Sequence, residues 1–201
     1  MRWATAALVI LTAQFAVHAE KAPLDGYEVV DLEWILPIDP NNPSGENMTV
    51  TGTIEDAIAQ MDAKYPGWNQ TFTSSLPPPD AASLEPSTES DGFKCGDPWY
   101  QCSQAAIVSG AQYLQGVKSD PPKMGTGPSN CGRVSCSWAS SIWMCNNSTL
   151  GEAQSTWKEI GDSALFLAYK CGYPDRLNMW VTRGQEFFKG NWSVVVTWAD
   201  C

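Results

Sequence analysis

The chain has 201 residues, of which 43% are hydrophobic, enough to bury the core of an ordinary domain. Its 22 acidic residues outnumber 12 basic ones, and the net charge of −10 argues against nucleic acid or an anionic membrane surface as an electrostatic partner. After residue 19 no segment reaches the ~20 apolar residues that span a bilayer, so we expect no membrane span.

The N-terminus has the pattern of a secretory signal peptide. Arg2 supplies the positive start, residues 4–17 are largely apolar, and Val17-His18-Ala19 offers small residues at the cleavage positions. The apolar run is too short for a membrane anchor. We therefore expect residues 1–19 to be removed and the product to be secreted into the extracellular space.

His18 is the only histidine, and it would leave with the signal peptide. Without histidine, Ser-His-Asp and Cys-His nucleophilic sites and the usual zinc or copper sites are excluded. No GxGxxG, Walker or GxSxG pattern occurs either. We expect a protein that is not an enzyme and that needs no cofactor or metal, with a glycosidase using paired carboxylates left open.

Residues 20–94 contain no cysteine, and we expect them to form a mostly flexible arm or a pro-segment. Residues 38–47 resemble a loop, and residues 76–91 form a proline- and acid-rich linker. One short helix is predicted after the hydroxyl cap of Thr53, and Tyr65-Pro66-Gly67 ends it. Its apolar residues recur at helical spacing: Ile54, Ala57, Ile58 and Met61.

All seven cysteines lie in residues 95–201, which we expect to be a cysteine-rich domain. They are Cys95, Cys102, Cys131, Cys136, Cys145, Cys171 and Cys201. In an exported chain they indicate disulfides rather than a metal site, because no CxxC pair occurs. Seven cysteines allow three bridges and leave one thiol, either free or bridged to another chain. The connectivity stays open.

Apolar spacing in this domain predicts helices over 103–117 and 155–171, a hairpin from 133–138 and 141–145, and a closing strand over 191–198. A short strand is expected near Cys95. Alternation on the hairpin puts Val134, Cys136 and Trp138 on one face, and Trp143 and Cys145 on the same face of the partner strand. Together these elements predict an α+β fold, a small disulfide-stabilised sandwich of two helices on an antiparallel sheet.

Five Asn-X-Ser/Thr sequons support an extracellular location and predict glycosylation. They are Asn47, Asn69, Asn146, Asn147 and Asn191. Because Asn146 and Asn147 are adjacent, we do not expect both to carry a glycan.

Tryptophan is over-represented, with ten residues, and a row of exposed aromatic rings could stack on sugars or on a partner. Strand alternation yields one candidate binding face, made of Trp138, Trp143, Trp192 and Trp198. The alternative is that these rings belong to the core. The carboxylates of this domain, Glu186 among them, show no spacing that demands catalysis and are expected on a solvated surface.

A resemblance to a group of secreted cysteine-rich fungal proteins of unknown function is carried by Cys131-Gly-Arg-Val-Ser-Cys-Ser-Trp-Ala-Ser-Ser-Ile-Trp-Met-Cys-Asn-Asn. Thr51-Gly-Thr-Ile-Glu, Gly110-Ala-Gln-Tyr-Leu-Gln-Gly-Val and Asn191-Trp-Ser-Val-Val-Val fit the same group. A more distant similarity, at Cys171-Gly172 and from Gly184-Gln185 to Cys201, is to smut-fungus killer toxins and necrosis-inducing fungal effectors. Those are small disulfide-rich α/β sandwiches that act on competing cells or a plant host. The cysteine count differs from the killer toxins, so no functional residue is carried over.

The sequence therefore favours a secreted, non-enzymatic effector or toxin-like protein that binds a host or microbial target. That target is a protein or a cell-wall glycan that the sequence does not identify. The alternatives are a cell-wall carbohydrate-binding protein or carboxylate-based glycosidase, and a structural cell-surface protein.

Overall fold

The computed structural model describes residues 20–78, 84–119, 124, 127–149 and 155–201. The expected signal peptide and part of the proline-rich linker lie outside these residues. The fold is α+β, as predicted, and no helix of the described ranges is long and apolar enough to cross a membrane. The helices are α1 (Ile54–Lys64), α2 (Trp68–Ser74), α3 (Gln104–Gly116) and α4 (Trp157–Lys170). The strands are β1 (Glu28–Val29), β2 (Glu33–Pro37), β3 (Asn47–Thr51), β4 (Ser90–Cys95), β5 (Cys102–Ser103), β6 (Asn130–Ser137), β7 (Ser140–Asn146), β8 (Tyr173–Pro174), β9 (Trp180–Thr182), β10 (Gly184–Phe188) and β11 (Trp192–Thr197).

A six-stranded sheet in the order β1-β6-β7-β11-β10-β4 is the centre of the fold. Its pairs are antiparallel except β1 with β6. β2 pairs with β3, and β5, β9 and β8 form a small third sheet. The predicted hairpin, closing strand and strand near Cys95 are confirmed as β6–β7, β11 and β4, whereas β10 was not predicted.

The β6–β7 hairpin differs in detail from the prediction. Its two-residue turn is Trp138-Ala139, both at positive φ, whereas the prediction had kept Trp138 in the first strand and begun the turn at Ala139. A β-bulge between Arg133 and Ser135 inserts Val134 and shifts the alternation. Val134 packs into the helix-side core, while Cys136 lies on the other face near Arg133, so the predicted shared face is wrong.

Helices α3 and α4 pack against each other and against one face of the sheet, as the two predicted helices should. α4 begins with a capping box between Thr156 and Glu159, which satisfies amides of the first turn. Ile107 and Leu114 of α3 and Leu167 of α4 are fully buried in the main core. The sequence period therefore identifies the buried stripes of both helices.

The segment expected to be a mostly flexible arm is instead folded into this core between residues 28 and 75. The predicted helix is confirmed as α1, capped by Thr53, but α2 and three strands accompany it. Trp34 of β2 is fully buried and stacks on Trp157 of α4, with ring centroids 3.9 Å apart. Glu55 of α1 accepts hydrogen bonds from the Ser135 hydroxyl at 2.6 Å and the Cys136 amide at 2.9 Å. The expectation of an arm does not hold here, because buried apolar side chains alternate along β2.

Three disulfides connect the elements: Cys95–Cys171, Cys131–Cys145 and Cys136–Cys201. The first joins β4 to the end of α4 and so attaches that helix to the sheet, while the others join β6 to β7 and β6 to the C-terminus. The seventh cysteine, Cys102, is a buried thiol that donates to the Thr182 carbonyl at 3.2 Å. Burial raises its pKa to about 12, so the thiol is inert in the folded chain.

Candidate functional site

A groove of about 830 Å³ lies on the side of the six-stranded sheet that faces away from the helices. Residues 20–25, 98–100 and 197–200 border it, and Arg133 and Trp143 contribute from β6 and β7. Beneath it, a small second core packs Trp99, Trp143 and Val195 around the Cys131–Cys145 disulfide. The groove therefore has a rigid support.

Hydrogen bonds fix the aromatic side of the groove. The Trp143 indole donates to the Ser141 hydroxyl at 2.8 Å, and that hydroxyl donates to the Thr197 carbonyl at 2.8 Å. The Trp198 amide donates to the Tyr100 carbonyl at 3.2 Å, and the Tyr100 amide donates to the Thr197 hydroxyl at 3.1 Å. Tyr100 and Trp198 are therefore neighbours, and their side chains are 73% and 46% exposed.

Arg133 connects the charged borders of the groove. Its Nε lies 2.7 Å from Glu20 Oε1, an ion-pair distance, although the N–H does not point at that oxygen. Its Nη1 donates to the Asp200 carbonyl at 2.6 Å, and its guanidinium carbon lies 5.7 Å from the Trp143 ring centroid. Burial raises the pKa of Glu20, Arg133 acts to lower it, and Asp31 raises it further.

The candidate tryptophan face is only partly assembled. Trp143 and Trp198 both line the groove. Trp192 is buried in the helix-side core and stacks on Phe188 at 3.9 Å, because β11 alternation turns it toward the helices. Trp138 lies apart at the hairpin turn and is 88% exposed. The prediction that these four rings form a single face is therefore wrong.

Sequence reasoning missed Trp99, Tyr100 and Arg133 as groove residues. Trp99 and Tyr100 follow β4 in an irregular loop, where no periodicity reveals the direction of a side chain. The signal that could have found them is an aromatic pair in a Gly- and Pro-containing loop, since loops carry binding residues more often than core strands do.

The border of the groove combines charged groups with aromatic rings. Its border carries three carboxylates, of Glu20, Asp25 and Asp200, together with the cations of Lys21 and Arg133. Within the described ranges, no group of three His, Cys, Asp or Glu residues is arranged to hold a metal ion. Aromatic faces beside charged hydrogen-bonding groups suit a ligand with both apolar surface and polar substituents.

The asparagines of the five sequons differ in their exposure to solvent. Asn47, Asn69 and Asn191 are exposed. Asn147 is half-buried, and its side-chain carbonyl accepts a hydrogen bond from the Tyr27 hydroxyl at 2.9 Å. Asn146 is fully buried in β7, where the fold leaves no room for a glycan.

Glu186 is not on the solvated surface expected for it. It lies fully buried on β10, opposite Val194 of β11 and Phe93 of β4. Burial raises the pKa of Glu186, whereas the Ser163 and Ser90 hydroxyls and the Ser87 backbone act to lower it. Neither carboxylate oxygen has a well-formed hydrogen bond. The group belongs to the core and is remote from the groove lining.

Comparison of the chain with protein-family models, curated proteins and solved structures gave no match. The resemblance to secreted fungal proteins stays a prediction.

Proposed function

We propose that the chain is a secreted effector or toxin-like protein that acts by binding a target on a host or competing cell. The observation that supports this is the groove, where exposed aromatic rings and charged groups meet on a rigid, helix-free side of the sheet. Secretion is supported by the signal-peptide pattern, the exposed sequons and the three disulfides.

Tyr100 and Trp198 would supply most of the apolar contact. Both residues are exposed, and hydrogen bonds hold their backbone in place, so little backbone conformational entropy is lost when a partner covers them. Aromatic residues of this kind dominate the energy of many protein interfaces. Arg133 would contribute little direct contact, because Glu20 and the Asp200 carbonyl already engage it.

The test uses oxidised residues 20–201, because the N-terminal strands and helices share the core with the cysteine-rich part. The protein is infiltrated into plant leaves and added to cultures of competing fungi. We expect tissue death or growth inhibition, abolished in Tyr100→Ala/Trp198→Ala but retained in Trp138→Ala, which removes an exposed ring outside the groove. A folded wild type without effect in either assay, or a fully active double variant, would contradict the proposal.

A second candidate, a cell-wall carbohydrate-binding protein or carboxylate-based glycosidase, is favoured by the carboxylates that border the same aromatic groove. Aromatic faces stack on sugar rings, and carboxylates accept hydrogen bonds from sugar hydroxyls. Pull-down on chitin, cellulose and β-glucan tests it, with release of soluble sugars as the measure of hydrolysis. Binding lost in Trp198→Ala but kept in Trp138→Ala would support the candidate; no binding to any polymer would dismiss it.

A further inference from the structure

A second surface feature lies away from the groove, at the loop of residues 175–179 that joins β8 to β9. Leu177, Met179 and the adjoining Trp180 are 82%, 63% and 57% exposed. Large apolar side chains gathered in one exposed place usually mark an interaction site on a soluble protein. None of the three lines the groove, so the proposed binding site does not account for them.

The 175–179 loop is rigid, so its apolar residues are not exposed by disorder. Asp175 Oδ1 accepts hydrogen bonds from the Leu177 amide at 2.8 Å and the Met179 amide at 2.9 Å. The Asp175 amide donates to the Met179 carbonyl at 2.9 Å, and the Asn178 amide donates to the Asp175 carbonyl at 3.0 Å. Asn178 adopts a positive φ, which asparagine tolerates better than most residues. The local bonding therefore defines the backbone conformation from which these side chains project into solvent.

The base of the loop is equally well anchored. β9 pairs with β5 on one side and β8 on the other. Thr182 of β9 is buried and its hydroxyl donates to the Leu167 carbonyl of α4 at 2.9 Å. Two residues before β8, Cys171 is bonded to Cys95 of the central sheet. Both strands that flank the loop are thus attached to the core of the molecule.

Its residues have the chemistry of a membrane interface. Leu177 and Met179 are suited to the acyl region, while Trp180 and the nearby half-exposed Tyr173 suit the headgroup level. Arg176 is exposed on the same loop and can reach lipid phosphates. The neighbouring Asp175 carboxylate accepts hydrogen bonds from two backbone amides of the loop. We propose that this loop inserts shallowly into a zwitterionic phospholipid surface and docks the protein there without spanning it.

The charge of the chain decides which lipid surface fits. At a net charge of −10 the protein as a whole is repelled by strongly anionic membranes, whereas phosphatidylcholine combines phosphate groups with no net charge.

Flotation with phosphatidylcholine vesicles tests the proposal on oxidised residues 20–201. We expect wild type to float with the vesicles, and Leu177→Asp/Met179→Asp to lose at least about tenfold in partitioning. The matched control is Leu84→Asp/Thr88→Asp, which adds the same two negative charges at exposed positions outside the loop and should partition as wild type does. Near-UV circular dichroism of all three proteins confirms that folding is unchanged.

Wild type that stays with the soluble fraction overturns the proposal, as does a double variant that floats like wild type. Flotation only with vesicles containing phosphatidylglycerol also overturns it, because it would point to a purely electrostatic contact. Sedimentation equilibrium distinguishes a second copy as occupant: a dimeric wild type and a monomeric double variant, without flotation, would assign the loop to self-association.

Discussion

Replacing Trp34 by alanine tests whether the N-terminal segment is integral to the fold. Trp34 is fully buried, its indole donates to the Gly52 carbonyl at 2.7 Å, and its ring lies 3.9 Å from that of Trp157 at an interplanar angle of 14°. Truncating a buried tryptophan costs about 3–5 kcal/mol, and the hydrogen bond and the stacked pair place this site in the upper part of that range. We therefore expect Trp34→Ala to lower the free energy of unfolding by about 4–5 kcal/mol.

Trp138→Ala is the matched comparison, because the chemical change is identical and the ring is 88% exposed. Its free energy of unfolding should stay within about 0.5 kcal/mol of wild type. Urea unfolding of oxidised residues 20–201, followed by far-UV circular dichroism, measures both. With a slope of about 1–3 kcal/mol/M, the Trp34 variant should unfold at least about 1.3 M earlier. Equal midpoints for the two variants would show that the N-terminal segment is only loosely attached and adds little to the stability of the core.

The remaining predictions concern the buried carboxyl, the thiol and one bridge. Burial holds the folded-state pKa of Glu186 above its unfolded value. Wild type should therefore lose stability as pH rises from the ordinary carboxyl range through the raised pKa. Glu186→Gln should abolish that loss, so that its stability matches that of wild type only at acid pH. Urea midpoints across a pH series check this, and a difference independent of pH would contradict it. Cys102 should resist a thiol reagent in the native chain at pH 8 and react with one equivalent after unfolding, whereas rapid native labelling would exclude a buried thiol. Replacing both Cys131 and Cys145 by serine opens the shortest bridged loop, with a separation of 14 residues, and should cost about 3 kcal/mol in urea unfolding; a cost near zero would show that the strand pairing alone holds the site.

Much of the fold could be predicted because its signals are local. Thr53 caps α1 and the apolar stripes of α3 and α4 follow a 3.6-residue period, so all three helices were found near their observed bounds. β2 was missed although Leu32, Trp34 and Leu36 alternate, because residues 20–94 were interpreted together as a mostly flexible arm. Strand β10 was missed because Glu186 was expected on a solvated surface, yet Gln185 and Glu186 are both buried.

The candidate site could be predicted only in fragments. Strand alternation correctly placed Trp143 and Cys145 on one face, and both belong to the small core below the groove. Trp198 lies just past the end of β11, where alternation no longer applies, and it turns to the groove border. Arg133 gains its role from Glu20 and Asp200, partners that are distant along the chain.

Local sequence patterns were enough to predict the α+β class, the approximate bounds of α1, α3 and α4, the hairpin, and three bridges with one thiol left over. Helix caps, apolar periods and cysteine counts can be recognised without knowing which distant segments are neighbours. Tertiary packing sets β10 between β4 and β11, leaves Cys102 as the thiol, and closes a groove between residues 20–25 and the C-terminal residues. Each of these depends on which distant segments pack together, because burial and pairing set the partner of a side chain where local preference leaves several open.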